Sequence, residues 1–290
     1  MNRFDFEALV VVNGANPNGD PLGGNIPRTD SLGYGEISDV CIKHKIRTAL
    51  AMAANGEVDD EGNCDTILLS GADYGDKQNN TISELLKDIP TKGRTSSEIA
   101  FDLGQKFRDV RLFGFLWAAK GGEGGKGVSV GITGPASIQS AKSVAPVAPV
   151  MTQITKSMSM DGGKSSDTMG TKYRVDRSAY VIKGSVSPYL GEKSGLTEAD
   201  VVALKNALTN MFTYDASAAR PAGTMEVVEI YWFDAGTQNG RLSTAETLRT
   251  VDIKPCEDFP FYKTETNFEK LPANVTVEHW QSGEWETLKH

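Results

Sequence analysis

Between residues 13 and 37 the chain carries Gly14, Pro17, Gly19, Pro21, Gly23, Gly24 and Pro27, a density of turn formers that neither a helix nor a strand tolerates. An apolar strand, Phe4 to Val12, runs into this stretch and a helix leaves it at about Ser38. About 25 residues must therefore form one ordered loop between two core elements, and a loop of that length in a compact domain is usually functional. The strand alternates at Phe4, Phe6 and Ala8 before the continuous run Leu9 to Val12, a pattern that predicts a central position in its sheet.

The helix after the loop brings the first candidate chemistry. Ser38 is a good N-cap, Asp39 suits the first turn, and Gly56 is placed to stop the helix after Ala53 and Ala54. Ile42, Ile46, Ala49 and Ala53 predict a buried stripe. Lys43 and Arg47 are four residues apart and so leave one face together, close to the loop. Cations near the start of a helix oppose its positive dipole end, a placement that an anion nearby would reward.

Charge at first argues against a polyanionic partner, since the 290 residues carry a formal net charge of −8. Its distribution answers part of the objection. From Lys142 to Lys183 there are seven basic residues against three acidic ones, whereas from Gly184 to the end there are nine basic and sixteen acidic. No apolar run approaches the about eighteen residues of a membrane-spanning helix, and no N-terminal basic segment precedes an apolar one, so the expectation is a soluble, cytoplasmic protein. Three cysteines, Cys41, Cys64 and Cys256, are too few and too far apart for a disulfide framework or a zinc site, and Cys41 is expected to serve helix packing.

Farther along, residues 55 to 94 are acidic, rich in Gly and Asn and weakly periodic, and predict an exposed insertion with little structure beyond Thr81 to Lys87. Thr95 and Glu98 form a capping-box pattern before a helix with Ile99, Leu103, Phe107 and Val110 on its apolar face. Arg111 to Ala119 is a candidate strand, and Val128, Val130 and Ile132 alternate in another. The glycine run between them fails as a phosphate loop. Lys120 stands where the leading Gly is required and Gly127 follows Lys126, while Gly163-Lys164-Ser165 has Met158 in the leading position.

Residues 134 to 175 change character. Pro146 and Pro149 oppose a central strand, and the Met- and Ser-rich stretch after them predicts an extended arm or hairpin. Its lysines and flexible Met151 and Met169 suit a surface that wedges against bases and holds a backbone. Order returns with a strand from Val175 to Ile182, in which Val175, Arg177, Ala179 and Val181 alternate with Asp176, Ser178, Tyr180 and Ile182 to give one apolar and one mixed face. A helix capped by Thr197 buries Val201, Leu204, Leu208 and Met211, a small-residue turn spans Ala216 to Gly223, and a strand runs from Thr224 to Phe233. The last 55 residues hold short strand signals and a hairpin at Ser282-Gly283. Strand, helix, two strands, helix, strand is the pattern of a split βαβ sheet of the ferredoxin or RRM type.

A set of short motifs then occurs in a telling order: Asn16-Pro-Asn-Gly-Asp-Pro21, Pro27-Arg-Thr-Asp30, Ser38-Asp-Val-Cys-Ile-Lys-His-Lys-Ile-Arg47, Asp109-Val-Arg-Leu-Phe-Gly114, Gly134-Pro with Gln139, Gln153-Ile-Thr-Lys156, Thr168-Met-Gly170, Gly195-Leu-Thr-Glu-Ala-Asp200, and Asn210-Met-Phe212 with Ser217-Ala-Ala-Arg220. Together, over about residues 4 to 233, they resemble the backbone subunit (RAMP superfamily) of type I CRISPR Cascade surveillance complexes, closest to subtype I-C. The resemblance implies an α+β fold: an RRM-like, ferredoxin-like palm with an inserted helical fingers region and an extended thumb hairpin. It implies a palm over 1–54, 127–135 and 176–234, fingers with a returning strand over 55–126, a thumb over 136–175, and C-terminal strands and tail over 235–290.

Such subunits are non-catalytic and polymerise as a helical filament along a CRISPR RNA, each holding one short segment. The implied partners are CRISPR RNA, the target DNA strand, copies of the chain itself, the capping, large and small Cascade subunits and a recruited nuclease-helicase, with no cofactor, no metal and no membrane, in the prokaryotic cytoplasm. By motif, Lys43, His44 and Arg47 would hold RNA phosphates from the palm helix. Arg28 and Gln139 would add backbone or sugar contacts, Lys156, Met169 and Lys172 would lie on or beside the thumb, and Arg220 would lie near the palm turn. The rival reading is a target-RNA endoribonuclease of the kind found in type III complexes, with Asp20 or Asp30 as the catalytic aspartate. A small-molecule binder or a purely structural oligomer is a third. Physically, a filament binder must hold phosphates and splay bases without reading sequence, and repetition multiplies a few cations per subunit.

Overall fold

Strand β1, Phe4–Ala15, is buried on both faces and the rest of the chain is layered against it. A computed structural model describes the chain except for residues 57, 60, 61, 70–80, 120–127, 156–168 and 290. After β1 the turn-dense loop forms three short strands, β2 (Gly19–Asp20), β3 (Ile26–Pro27) and β4 (Tyr34–Ile37), and helix α1 (Asp39–Ala53) follows. The insertion holds α2 (Ile82–Leu85), α3 (Ser96–Lys106), α4 (Arg108–Phe113), β5 (Gly114–Ala119) and β6 (Val128–Thr133). Next come β7 (Ala136–Ile138), β8 (Ala141–Pro146), β9 (Val150–Thr155) and the long β10 (Met169–Val186), then α5 (Pro188–Ser194), α6 (Glu198–Asn210) and β11 (Met225–Asp234). The last part contributes α7 (Thr244–Leu248), β12 (Val251–Pro255), β13 (Tyr262–Thr266), a 3-10 turn Phe268–Lys270, and the hairpin β14 (Thr276–Gln281) and β15 (Glu284–Lys289).

The fold is mixed α and β around one large antiparallel sheet in the order β15-β14-β11-β1-β10-β8-β4, with β7 and β9 also paired to β10. Side chains alternate across a strand, so β1 feeds two cores. Phe6, Ala8, Val10 and Val12 join Ile42, Ile46, Leu204, Leu208 and Trp232 under α1 and α6. Leu9 and Val11 join Tyr231, Phe233, Leu248, Tyr262 and Val277 beneath the C-terminal layer. Each large apolar side chain buried in this way contributes about 1.5–3 kcal/mol. Phe6 stacks on Trp232 with ring centroids 5.4 Å apart and faces Gly184 across the β1–β10 ladder. A Cβ at 184 would run into the Phe6 ring, which explains a glycine within a central strand.

Several local expectations hold. Ser38 Oγ accepts the Cys41 N–H at the start of α1, Thr95 and Glu98 form a reciprocal capping box, and the four apolar residues predicted for α6 are all buried. Others are corrected. Arg111 to Phe113 is helical rather than extended, because Arg111 is buried against Asp200, its Nε and Nη2 donating at 2.8 Å each, while its Nη1 donates to Gly104 O at 2.6 Å. The strand begins only at Gly114, whose φ of +75° closes α4.

The stripe of α1 ends at Leu50, and Ala53 is exposed. Residues 55 to 94 are more than an exposed insertion, since Ile67 enters the main core and Leu68, Leu86 and Ile89 build a third cluster with Ile99, Leu103, Phe107 and Val110. On β10, Val175, Tyr180, Ile182 and Val186 join the main core, while Ala179 packs on the opposite side. The glycine run 120–127 and most of the Met- and Ser-rich stretch lie outside the described residues.

The C-terminal layer closes over a row of buried polar groups. Glu229 accepts hydrogen bonds from Tyr231 Oη at 2.6 Å, Tyr262 Oη at 2.7 Å and the ring of His279 at 2.8 Å. Burial pushes the Glu229 carboxyl up, but these donors outweigh it and hold it below its ordinary range. Nearby, the fully buried Glu7 pairs with Lys183, Nζ to Oε1 2.7 Å.

Candidate nucleic-acid interface

The loop, α1 and the hairpin are tied together by their own backbone groups. Asn18 Oδ1 accepts the Ser38 N–H at 2.9 Å, which fixes the loop to the N-cap of α1. Asp39 N donates to Ser140 Oγ at 3.3 Å, joining the helix to the β7–β8 turn. The Asn16 N–H donates to Ala219 O at 2.9 Å, and Asn16 Nδ2 donates to Asn25 O at 2.7 Å. The β9–β10 ladder, from Val150↔Arg174 to Thr155↔Met169, is exposed along nearly its whole length. Lys172 Nζ ties its base to Ala218 O at 3.1 Å.

Between these parts lies a cleft of about 690 Å³, whose polar walls are Asn16, Asn18 and Asn25 from the loop, Lys172 and Arg174 from the hairpin, and Arg220 from the small-residue turn. Cys41 also lines the cleft, and Tyr173 stands between the two hairpin cations in sequence. Cations together with neutral amides are the groups that can hold a phosphodiester strand through its charge and its sugar hydroxyls.

Lys172 and Arg220 are thus the two predicted residues that the structure brings into one cleft. Arg28 flanks it, its N–H donating to Asn18 O at 3.0 Å and its guanidinium paired with Asp20 at 3.3 Å. On α1 the cations separate. His44 lies at the surface, where partial desolvation by its neighbours, together with the charges of Lys45 and Arg47, holds its imidazole below its usual range. Lys43 pairs with Asp39 at 3.2 Å. Arg47 is only 12% exposed, pairs with Asp109 at 3.1 Å and lies over the Phe113 ring. Gln139 stands apart, at the β7–β8 turn. Met169, 66% exposed, begins the described part of β10, and its Sδ lies 2.8 Å from Gln153 Nε2. Lys156 lies outside the described residues.

Sequence reasoning missed the anchor of this region. Lys45 is buried and ion-paired with Asp215, which also holds Arg220 at 2.6 Å from Nε. Burial holds the Lys45 ammonium below its usual range and pushes the Cys41 thiol up. The spacing of Lys45 with Cys41 and Ala49, four residues to either side, could have placed it on the packed face; nothing local marked Asp215. Asp20 and Asp30 are engaged in turn geometry. Asp20 Oδ1 accepts from Leu22 N and from Arg28, and Asp30 accepts from Leu32 N at 2.9 Å, Tyr34 N at 3.0 Å and Lys142 Nζ at 2.8 Å.

The family model described as CRISPR-associated protein Cas7 matches residues 2–276. Among solved structures, a chain of a "CRISPR RNA-guided surveillance complex, pre-nicking" has the same fold, with a TM-score of 0.50 at 13% identity over 80% of this chain and 78% of that one. A chain of a "CRISPR RNA-guided surveillance complex" aligns with a TM-score of 0.44 at 12% identity over 80% of this chain and 68% of that one. No curated protein matches the sequence.

Proposed function

The chain belongs to the Cas7 family of CRISPR-associated proteins, and from that premise we propose that it is a CRISPR RNA-binding backbone subunit of a type I Cascade complex, closest to subtype I-C. It polymerises along the guide RNA, supports recognition of target DNA in antiviral defence, and performs no catalytic step. The observation that carries this reading is the cleft between loop, hairpin and turn, where Lys172, Arg174 and Arg220 converge with Asn16, Asn18 and Asn25.

The strand order β11-β1-β10-β8, with α1 and α6 packed against one core, supports an RRM-like palm. Residues 55–126 then act as fingers and 136–175 as a thumb, whose β7 and β8 root it in the main sheet and whose exposed β9–β10 ladder extends from it. Lys172 and Arg220 hold phosphates in the cleft. Lys43, His44 and Arg28 line its approach, Arg47 steadies the helix from Asp109, and Met169 and Lys156 belong to the thumb. Gln139 contacts a more distant part of the strand. The proposed partners are CRISPR RNA, further copies of the chain, the other Cascade subunits, the target strand and the recruited nuclease-helicase, in the prokaryotic cytoplasm. The engagement of Asp20 and Asp30 by backbone amides and cations supports their role in the loop, so complementary RNA with Mg²⁺ should stay intact when added to the assembled complex.

The direct test is Lys172→Ala with Arg220→Ala in the full chain. Single-strand phosphate contacts each contribute about 0.7 to the slope of log affinity against log salt, so the double variant should lose about 1.4 units for any RNA sequence. An unchanged slope and an unchanged 260/280 absorbance ratio of the purified protein would remove the cleft from the binding surface.

A further inference from the structure

On the side of the sheet away from α1, a groove of about 900 Å³ runs between β8 and β10 on one wall and the β12–β13 hairpin on the other. Lys142, Lys183, Arg249 and Lys270 reach it, with Asp252 and Glu265 as its acidic members. Most of these charges already have partners. Lys142 pairs with Asp30 at 2.8 Å, Lys183 with Glu7 at 2.7 Å, and Lys254 holds both Asp252, at 3.4 Å, and Glu265, at 2.6 Å. Two cations remain. Arg249 and Lys270 are exposed, and among the described residues neither side chain makes a hydrogen bond or salt bridge, Arg249 having only the more distant attraction of Glu246 one turn before it. Their backbones are brought together by the Asn267 N–H, which donates to Thr250 O at 2.8 Å. The Gln139 carboxamide, exposed and without a side-chain partner among the described residues, lies on the facing wall.

We propose that this groove is a second binding site, for the sugar-phosphate backbone of a nucleic-acid segment other than the one in the cleft, with Arg249 and Lys270 as its phosphate ligands and Gln139 as a sugar or phosphate contact. The lining decides the ligand class. Besides the cations it offers hydroxyls and amides, from Ser140, Thr250, Thr266 and Asn267, the set of groups that contacts phosphate and sugar. No aromatic ring lines it, so it offers neither a stacking platform for bases nor the anchor pockets that dominate protein–protein contacts. The cleft and the groove draw on the same strand, β10, with Arg174 lining the one and Val181 the other, about 23 Å apart along the extended backbone, so they hold different segments.

The site rests on the reading of the chain as a nucleic-acid binder, and the test separates the two. Labelled oligouridylate and oligothymidylate are titrated over a range of salt against the full chain, the groove variant Arg249→Ala with Lys270→Ala, the cleft variant Lys172→Ala with Arg220→Ala, and the fourfold variant. The groove variant should lose about 1.4 units of salt slope for at least one probe, additively with the cleft variant. The exchange Arg249→Lys with Lys270→Arg, which keeps both charges, should restore it. A groove variant that binds both probes as the parent does overturns the site and leaves the cleft reading intact. Loss in the groove variant with none in the cleft variant overturns the cleft instead. Binding of polyglutamate that depends on Arg249 and Lys270, with oligonucleotide binding unchanged, would make the groove a protein-docking surface and also overturn the proposal.

Discussion

Replacing Glu7 by Gln should stabilise the protein at alkaline pH and do little in acid. Glu7 lies in the middle of β1, wholly buried, with the Lys183 ammonium 2.7 Å away. Burial pushes its carboxyl up to about 7 from the ordinary 4.5, more than the attraction of Lys183 pulls it down. The folded protein therefore binds a proton that the unfolded chain has already released between pH 4.5 and 7, so stability is greatest below the lower value and falls as pH rises through the higher one. A displacement of about 2.5 pH units corresponds to about 3 kcal/mol, present in full above pH 7. Glutamine carries no charge at any pH and removes that slope. The difference in unfolding free energy between Glu7→Gln and the parent should thus move by about 3 kcal/mol in favour of the variant from pH 4.5 to pH 8, equivalent to about 5 °C in Tm for a chain of this size. Urea titrations at both pH values, followed by tryptophan fluorescence, measure it. Other titrating groups, His279 among them, cancel in the comparison. A difference that stays constant with pH would refute the reasoning, because it would mean that Glu7 is already ionised in the folded protein at low pH.

Asp200 accepts from Arg111, Arg108 and the Thr197 N–H while fully buried, so Asp200→Ala should strand the Arg111 charge and cost about 3–5 kcal/mol, read from the urea midpoint. Gly184→Ala places a Cβ against the Phe6 ring and should cost about 1–3 kcal/mol; Phe6→Leu in the same background should recover part of that loss in a double-mutant cycle.

What was legible in the sequence was what is local. The Ser38 cap, the Thr95–Glu98 box, the apolar face of α6 and the Ser282-Gly283 hairpin each depend on residues within a turn or two of one another, and their spacing carries the geometry. Arg111 to Phe113 was misread because Arg111 to Ala119 is a short run rich in apolar and aromatic residues, the composition of a strand, whereas the anion that draws Arg111 into a helix is Asp200, 89 positions away. The same distance problem hid the anchor of the cleft, since Lys45 and Asp215 are 170 positions apart. Lys172 and Arg220 were singled out by the order of family motifs, not by periodicity, and it took the fold to bring them into one cleft. The groove around Arg249 stayed unseen because its walls come from strands whose short signals carry no mark of the charges between them.

Strand β10 is a single extended segment of 18 residues, about 60 Å from end to end. Its outer third carries the exposed ladder and its inner two-thirds is hydrogen-bonded to β1, β7 and β8. Such a member is a cantilever. A load on its outer ladder is passed along the continuous strand as a bending moment and taken up by the central sheet, where β1, β7 and β8 hold it.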